Sequence, residues 1–320
     1  MVPLPMNTFV GTPTIERVLC ALDVEQPILS AVSLASLIAK RFGASLEVLH
    51  AEGSGSAARF QRFQTNADRV QELMASHNAE QRLEKLVEGL KGPDSTTTRL
   101  VSGSPVASIL ERSDTSSNDL IVLGARQRSD LGWQFRDDIA RQVSAMAHCA
   151  TLTVHDRDRP DRIERILLAV DFAPVTTQAV AWAGAFAQRF GAEVHLLHVV
   201  SRERQTQRTV DRSKKVVRSS SVPPDVSARL AELAQELTRQ GVRATSDVAI
   251  ASGVVNGITD CNDRGEFDLL VAGLSGPPQD PPRLTRGVVS TLRSRMSIPV
   301  LSVRQVTLDT PHSASGGGDR

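Results

Sequence analysis

Three glycines in the second part of the chain have the spacing of a loop that holds phosphate groups. Gly273 and Gly276 flank two residues, and Gly287 follows after ten more, where a helix is predicted to begin. A glycine-rich turn into a helix presents unpaired N–H groups and the positive end of the helix dipole to an anion. Asp171 ends a predicted strand nearby, where it either contacts a ribose or caps the turn into the next helix. The pattern predicts nucleotide binding.

The first part of the chain carries a damaged version of the same pattern. Asp23 and Gly124 stand at the matching strand ends, but Gln127 occupies the place of the second glycine. Asp137 and Asp138 fall near the start of the helix that follows. A side chain blocks close backbone approach and carboxylates repel phosphate, so the phosphate loop is predicted to be degenerate here.

The two patterns match because the chain contains an internal repeat. Residues 15–51 and 163–199 share sixteen identities in 37 gap-free positions at an offset of 148, where roughly two or three are expected by chance. Two homologous domains therefore stand in tandem, at 1–157 and 158–305, and 306–320 is predicted to be a disordered tail.

Each repeat alternates strand and helix five times. The runs RVLCALD and RILLAVD are short, apolar and end in aspartate, as buried parallel strands do. The alanine-spaced helices after them are predicted to end at Gly43 and Gly191. Further helices are predicted within 59–91 and 225–240. This order predicts an α/β fold with two repeats, each a five-stranded parallel sheet with helices on both faces.

Composition excludes several classes of protein. A net charge of +1 over 320 residues provides no field for nucleic acid or membrane, and no apolar run reaches the length of a membrane span. The start of the chain lacks a secretory signal pattern, so a cytoplasmic location is expected. Three scattered cysteines indicate neither a disulfide framework nor a zinc site. The basic stretch 202–222 is interpreted as a solvated loop, with a nucleic-acid arm or a phosphorylatable tail as alternatives.

The order of these features resembles the universal stress protein family. Asp after strand one, a Leu-His-Val ending to strand two and Gly-x-x-Gly after strand four carry the resemblance. It implies a Rossmann-like fold of the adenine-nucleotide alpha-hydrolase type, and ATP as the ligand of the second domain, with Mg²⁺ left open. The implied nucleotide-binding residues are Ala169, Asp171, Val199, Gly273, Gly276, Gly287 and Val288. The degenerate counterparts are Ala21, Asp23 and Gly124.

Two departures from the family pattern affect the predicted loop. Ten residues instead of nine separate Gly276 from Gly287, and Val288 stands in place of the hydroxyl residue. A valine cannot donate to a phosphate oxygen. The histidines His50 and His198 are interpreted as hydrogen-bonded structural residues that recur at matched strand ends.

The predicted function is that of a stress-response protein regulated by a nucleotide. The alternative is a nucleotide-free interaction and dimerisation module of the same fold. No catalytic set of residues recurs between the repeats, so dedicated catalysis is not predicted and weak ATP hydrolysis stays open. A receiver-type phosphoacceptor is disfavoured because strand one ends in a single aspartate. The family also implies that the last strands of the two domains pair, with a homodimer possible, and protein partners are left unnamed.

Overall fold

A computed structural model describes residues 12–52, 66–90, 92–125, 137–156, 162–201, 224–275 and 287–304, which form two similar halves. The elements of the first half are β1 (Arg17–Ala21), α1 (Leu29–Phe42), β2 (Ser45–Glu52), α2 (Asn66–Glu88), β3 (Thr96–Ser102), α3 (Pro105–Thr115), β4 (Leu120–Ala125), α4 (Asp137–Met146) and β5 (Ala150–His155).

The second half repeats this order. Its elements are β6 (Arg165–Ala169), α5 (Thr176–Phe190), β7 (Glu193–Ser201), α6 (Pro224–Arg239), β8 (Ala244–Ala251), α7 (Val254–Gly265), β9 (Leu269–Leu274), α8 (Val288–Arg295) and β10 (Val300–Arg304). The predicted α/β fold with two five-stranded parallel repeats is confirmed. No helix in the described ranges combines the length and apolarity that a membrane span requires.

All ten strands form one sheet in the order β3-β2-β1-β4-β5-β10-β9-β6-β7-β8. Neighbouring strands within each half are parallel. The halves meet where β5 and β10 run antiparallel, with Leu152 opposite Leu301 and Thr151 opposite Ser302. In each half the strand order reverses between the first and fourth strands, and the crevice beyond their carboxyl ends is the place where such sheets bind ligands.

Local sequence explains the first helix of each half. Alanines at helical spacing let α1 and α5 lie close against the sheet, since Ala31, Ala35, Ala179 and Ala183 are all buried. Both helices end at a left-handed glycine, Gly43 with φ 72° and Gly191 with φ 72°. This conformation is costly for residues with a Cβ, so the glycine ends the helix as predicted.

The core is continuous on one face of the sheet and divided on the other. On the first face, α1, α2, α5 and α6 cover one apolar cluster that spans both halves. On the second face, α3 and α4 cover a cluster of the first half, and α7 and α8 cover a cluster of the second. The outer strands β3 and β8 begin with polar residues such as Thr96 and Thr245, which fit a sheet edge that is half open to water.

Candidate functional site

The aspartates at the ends of β1 and β6 shape the turns that follow them. Asp23 Oδ1 accepts the Glu25 N–H at 3.0 Å. Asp171 Oδ1 accepts the Ala173 N–H at 2.9 Å and the Thr176 hydroxyl at 3.1 Å. These bonds order the loop into the first helix of each half. In both halves, one carboxylate oxygen of the aspartate therefore accepts hydrogen bonds within the turn. This agrees with the interpretation that the aspartate caps the turn into the next helix.

The two repeated histidines also make a structural bond. His50 Nδ1 lies 2.9 Å from the Leu22 carbonyl oxygen, and His198 Nδ1 lies 2.7 Å from that of Val170. A carbonyl oxygen only accepts, so Nδ1 carries a proton in both rings. The bond ties the end of the first strand to the end of the second, in agreement with the structural interpretation.

The glycine of the fourth strand is required for packing in both halves. A Cβ at Gly124 would lie 2.9 Å from Ile28 Cβ and 3.0 Å from Ile28 Cδ1. At Gly273 a Cβ would lie 2.5 Å from Val175 Cγ1. Ile28 and Val175 are the residues that precede α1 and α5. Gly124 and Gly273 therefore hold the first helix against the sheet, a role that the sequence pattern did not reveal.

An aromatic residue distinguishes the loop after β6. Phe172 has a left-handed backbone with φ 58°, which costs a non-glycine residue about 1–2 kcal/mol. Its ring centroid lies 5.0 Å from that of His198, and the guanidinium carbon of Arg229 lies 4.3 Å from it. The loop after β6 is thus held by contacts of Phe172 with His198 in β7 and with Arg229 in α6. The sequence analysis did not predict these contacts.

The part of the second crevice beside β6 and β7 is packed like a core. Val199 is 8% exposed, and its two methyl groups would lie 2.5 and 2.9 Å from a Cβ placed at Gly257 in α7. Ala169 ends β6 and is half-buried beside Leu197 and Ala272. The backbone of these residues therefore reaches the crevice edge while the Val199 side chain packs against α7.

The part of the second crevice beside the start of α8 is open where it is described. Gly287 is the N-cap of α8, with φ −68° and ψ 157°, and a Cβ there would have no neighbour within 4 Å. Val288 is 43% exposed. Gly276 lies outside the described residues, as does Gln127 in the first half. The N-terminus of α8 is thus uncovered by the described part of the chain.

The first crevice contains a cavity of about 460 Å³. It lies beyond the carboxyl ends of β1, β2 and β4, next to the start of α3 and α4. Apolar walls come from Ile28, Leu49, Ile109, Leu123, Gly124, Ile139 and Ala140, and polar groups from Asp23, Glu25, Gln26, His50 and Glu52. The comparison of the two repeats favoured the second half for a ligand site, whereas this cavity lies in the first half.

The polar rim of the cavity is held by α2. The Ser76 hydroxyl donates to Glu52 Oε2 at 3.0 Å, and Arg82 Nη1 lies 2.5 Å from Glu25 Oε1. Arg82 and Glu25 are both largely exposed, with side-chain exposures of 55% and 64%. Such an exposed pair contributes little to stability, and its effect is to place α2 beside the loop after β1.

The second half holds in place the helix α4, whose residues Ile139 and Ala140 line this cavity. Arg293 in α8 donates to the Ala140 carbonyl oxygen at 3.2 Å, and Ser144 donates to the same oxygen at 2.7 Å. Arg304 in β10 donates to the carbonyl oxygens of Ser144 at 3.2 Å and Ala145 at 2.9 Å. Burial lowers the pKa of Arg304. Two nearly buried arginines therefore fasten α4, which lines the first cavity, to the second half.

Two of the cysteine thiols are held in their protonated form by burial. Burial raises the pKa of Cys20 to about 12 and that of Cys149 to about 11, so both thiols stay protonated at neutral pH. Within the described ranges, no group of three or more His, Cys, Asp or Glu side chains is placed to hold a metal ion.

The fold and its two crevices define the family of the protein. The family model described as the universal stress protein family matches residues 14–155 and, a second time, residues 162–304. The chain belongs to the universal stress protein family, and the predicted tandem arrangement is confirmed. A search of curated proteins found no match.

Solved structures share the architecture. A universal stress protein from Archaeoglobus fulgidus is 16% identical, with a TM-score of 0.65 over 90% of this chain and 98% of that one. A putative universal stress protein from Pseudomonas aeruginosa is 16% identical, with a TM-score of 0.55 over 91% of this chain and 94% of that one. A universal stress protein in complex with cAMP is 18% identical, with a TM-score of 0.35 over 45% of this chain and 98% of its own. At such identities the likeness concerns the fold alone.

Proposed function

We propose that the protein is a cytoplasmic stress-response regulator whose second half binds ATP. The observation that carries the proposal is the N-terminus of α8 at Gly287, where an added Cβ would have no neighbour within 4 Å among the described residues. A helix N-terminus with unpaired N–H groups stabilises phosphate charge. Family membership supports the role in stress response.

In this proposal each half of the nucleotide meets a different part of the crevice. The N–H groups at the start of α8, together with Gly276, hold the phosphates. The Asp171 carboxylate, which uses Oδ1 for its turn, offers its other oxygen to the ribose. The backbone at Ala169 and Val199 borders the adenine. Mg²⁺ would neutralise phosphate charge when ATP is bound. The protein residues bind and orient the nucleotide, and none of them is assigned a catalytic role.

The test compares two glycine N-caps of the second half. Gly287→Asp places a carboxylate at the start of α8, as Asp138 does at the start of α4. Aspartate is a favourable N-cap, so the free energy of unfolding should hold or rise slightly. Phosphate repulsion should weaken ATP binding by about tenfold or more in a calorimetric titration with Mg²⁺. Gly253→Asp, at the N-cap of α7, is the matched control and should bind ATP nearly as wild type does.

A second pair of variants tests the ribose contact. Asp171→Ala should weaken ATP binding, whereas Asp23→Ala, its counterpart in the first half, should leave the affinity unchanged. Absence of saturable ATP binding and of co-purified nucleotide in the folded wild type would overturn the proposal.

The second candidate function is a nucleotide-free interaction module that can form a homodimer. The packing of Val199 against Gly257 and the covered ring of Phe172 favour it, because they occupy the adenosine side of the second crevice. This candidate predicts no ATP binding and a concentration-dependent dimer in analytical ultracentrifugation. A protein that binds ATP and stays monomeric at every concentration contradicts it.

A further inference from the structure

We propose that a groove between the ends of α1 and α5 binds an anion that carries two phosphate groups. The groove has a volume of about 540 Å³, which falls within the range of small-molecule sites. It is lined by Leu37, Lys40 and Arg41 of α1 and by Gln188 and Arg189 of α5. Both helices run from the carboxyl end of one strand to the amino end of the next. The groove is therefore separate from the two crevices.

The charged groups of the groove are all cations. Lys40, Arg41 and Arg189 are exposed, and no carboxylate is found among the described lining residues. Within the described ranges, none of these three cations forms an ion pair. The segments that carry them, 12–52 and 162–201, are described without a gap. In a protein with a net charge of +1, three positive charges at one groove produce a local field that favours an anion.

The helix dipoles offset only part of this charge. Both α1 and α5 end at the groove, and the carboxyl end of a helix carries about half a unit of negative charge. The Gly43 and Gly191 N–H groups already bond to the carbonyl oxygens of Ala39 and Ala187 at these ends. Two half charges against three full positive charges leave a net charge of about +2. The meeting of two basic helix ends thus exceeds what the dipoles require.

Aromatic rings orient the two arginines at the groove. The guanidinium group of Arg41 lies over the ring of Phe190, and that of Arg189 lies over the ring of Phe42. A contact of this kind uses the flat face of the guanidinium group and leaves the N–H groups at its edge available. Within the described ranges, neither group donates a hydrogen bond to a protein acceptor. Each edge can therefore form the paired N–H bonds that a phosphate group accepts.

The internal repeat explains the preference for two phosphate groups. Arg41 and Arg189 occupy matching positions at the offset of 148, so one arginine of each half borders the groove. Lys40 adds a charge from the first half, whereas its counterpart Gln188 is neutral and donates to the Gln240 carbonyl oxygen at 3.0 Å. Two equivalent guanidinium groups match a diphosphate better than a single phosphate. The diphosphate is either free pyrophosphate or part of a nucleoside diphosphate.

Three probes test the preference and the source of the diphosphate. Calorimetric titration of the full chain at pH 8 without Mg²⁺ should give saturable binding of pyrophosphate. Orthophosphate should bind at least about tenfold more weakly, because one phosphate group engages one arginine. UDP presents the same diphosphate on a nucleoside. Binding of UDP as tight as that of pyrophosphate supports a diphosphate carried by a larger molecule, and weaker binding supports the free anion.

Matched arginine variants locate the site. Arg189→Gln should weaken pyrophosphate binding by about tenfold, and Arg189→Lys, which keeps the charge without the planar group, should weaken it less. Arg264→Gln is the control, because Arg264 is an exposed cation of α7, on the opposite face of the sheet. The helix α8 also lies on that opposite face. Weaker binding in Arg189→Gln therefore reports on the groove whether or not ATP binds at α8, and urea unfolding verifies the fold of each variant.

Contrary results are equally clear. Wild type that shows no saturable pyrophosphate binding, or that binds orthophosphate as tightly as pyrophosphate, does not contain a diphosphate site. Binding that is unchanged in folded Arg189→Gln, or that is weakened equally in Arg264→Gln, shows that the probe does not bind in the groove. Any of these results overturns the proposal.

Discussion

The guanidinium carbon of Arg41 lies 5.6 Å from the ring centroid of Phe190. In the equivalent contact from the other half, the guanidinium carbon of Arg189 lies 5.6 Å from the ring centroid of Phe42. Arg41 and Arg189 occupy matching positions of the two repeats, and so do Phe42 and Phe190, at the offset of 148. Phe42 also contacts Phe186 at 5.3 Å between ring centroids. The ends of α1 and α5 are therefore joined by a reciprocal pair of cation–π contacts between the halves.

Removing one of these cations should weaken the contact between α1 and α5. Arg41→Ala is expected to lower the free energy of unfolding by about 0.5–1 kcal/mol, the value of an exposed cation–π contact. Lys40→Ala is the control, because Lys40 is an exposed cation of the same helix without a ring contact in the described structure. Urea unfolding measures both. If both substitutions lowered the free energy of unfolding equally, the cation–π contact would not explain the effect of Arg41→Ala.

Gly124→Ala should destabilise the fold through Ile28. The added Cβ would lie 2.9 Å from Ile28 Cβ, and overpacking of this kind costs about 1–3 kcal/mol. In an Ile28→Gly background, which removes the Cβ together with the rest of the side chain, the same substitution should cost much less, and a double-mutant cycle measures the difference. Gly89→Ala, whose Cβ would have its nearest neighbour at 3.7 Å, should be nearly neutral. A cost at Gly124 that persists without the Ile28 side chain would contradict the packing explanation.

The stability of the second half should depend on pH through His195. Burial lowers the pKa of His195, assisted by Arg165 and opposed by Asp247 and Glu193. The unfolded chain therefore binds a proton first as the pH falls through about 6.5, and stability is lost in that window. Urea unfolding at pH 7.5 and 5.5 should show a smaller loss in His195→Gln than in wild type. An equal loss in both proteins would show that His195 does not contribute.

Arg293 should stabilise the contact between α8 and α4. Arg293→Met retains apolar bulk and removes the donor to Ala140, and it should cost about 1 kcal/mol. The cost stays moderate because the Ser144 hydroxyl still satisfies that carbonyl oxygen. Arg295→Met is the control, since Arg295 is exposed and its bond within the described ranges is to Asn256, in the second half. Equal unfolding free energies for the two variants would argue against a role for Arg293 in joining the halves.

The repeat made the framework predictable, and the tertiary packing made the site harder to predict. The glycines that end α1 and α5 follow from local spacing, and the strand order follows from alternation with helices. In contrast, Gly124 matched a phosphate-loop pattern although its absent Cβ leaves room for Ile28. The first cavity depends on small differences in side-chain volume, such as Ala51 against Val199. Such differences have meaning only once the sheet brings distant residues together.

The antiparallel pairing of β5 with β10 gives the molecule two chemically different poles. Because every other neighbouring pair is parallel, the carboxyl ends of the two halves point in opposite directions. The cavity of the first half and the start of α8 therefore lie at opposite edges of the one continuous sheet, so occupation of one leaves the other accessible.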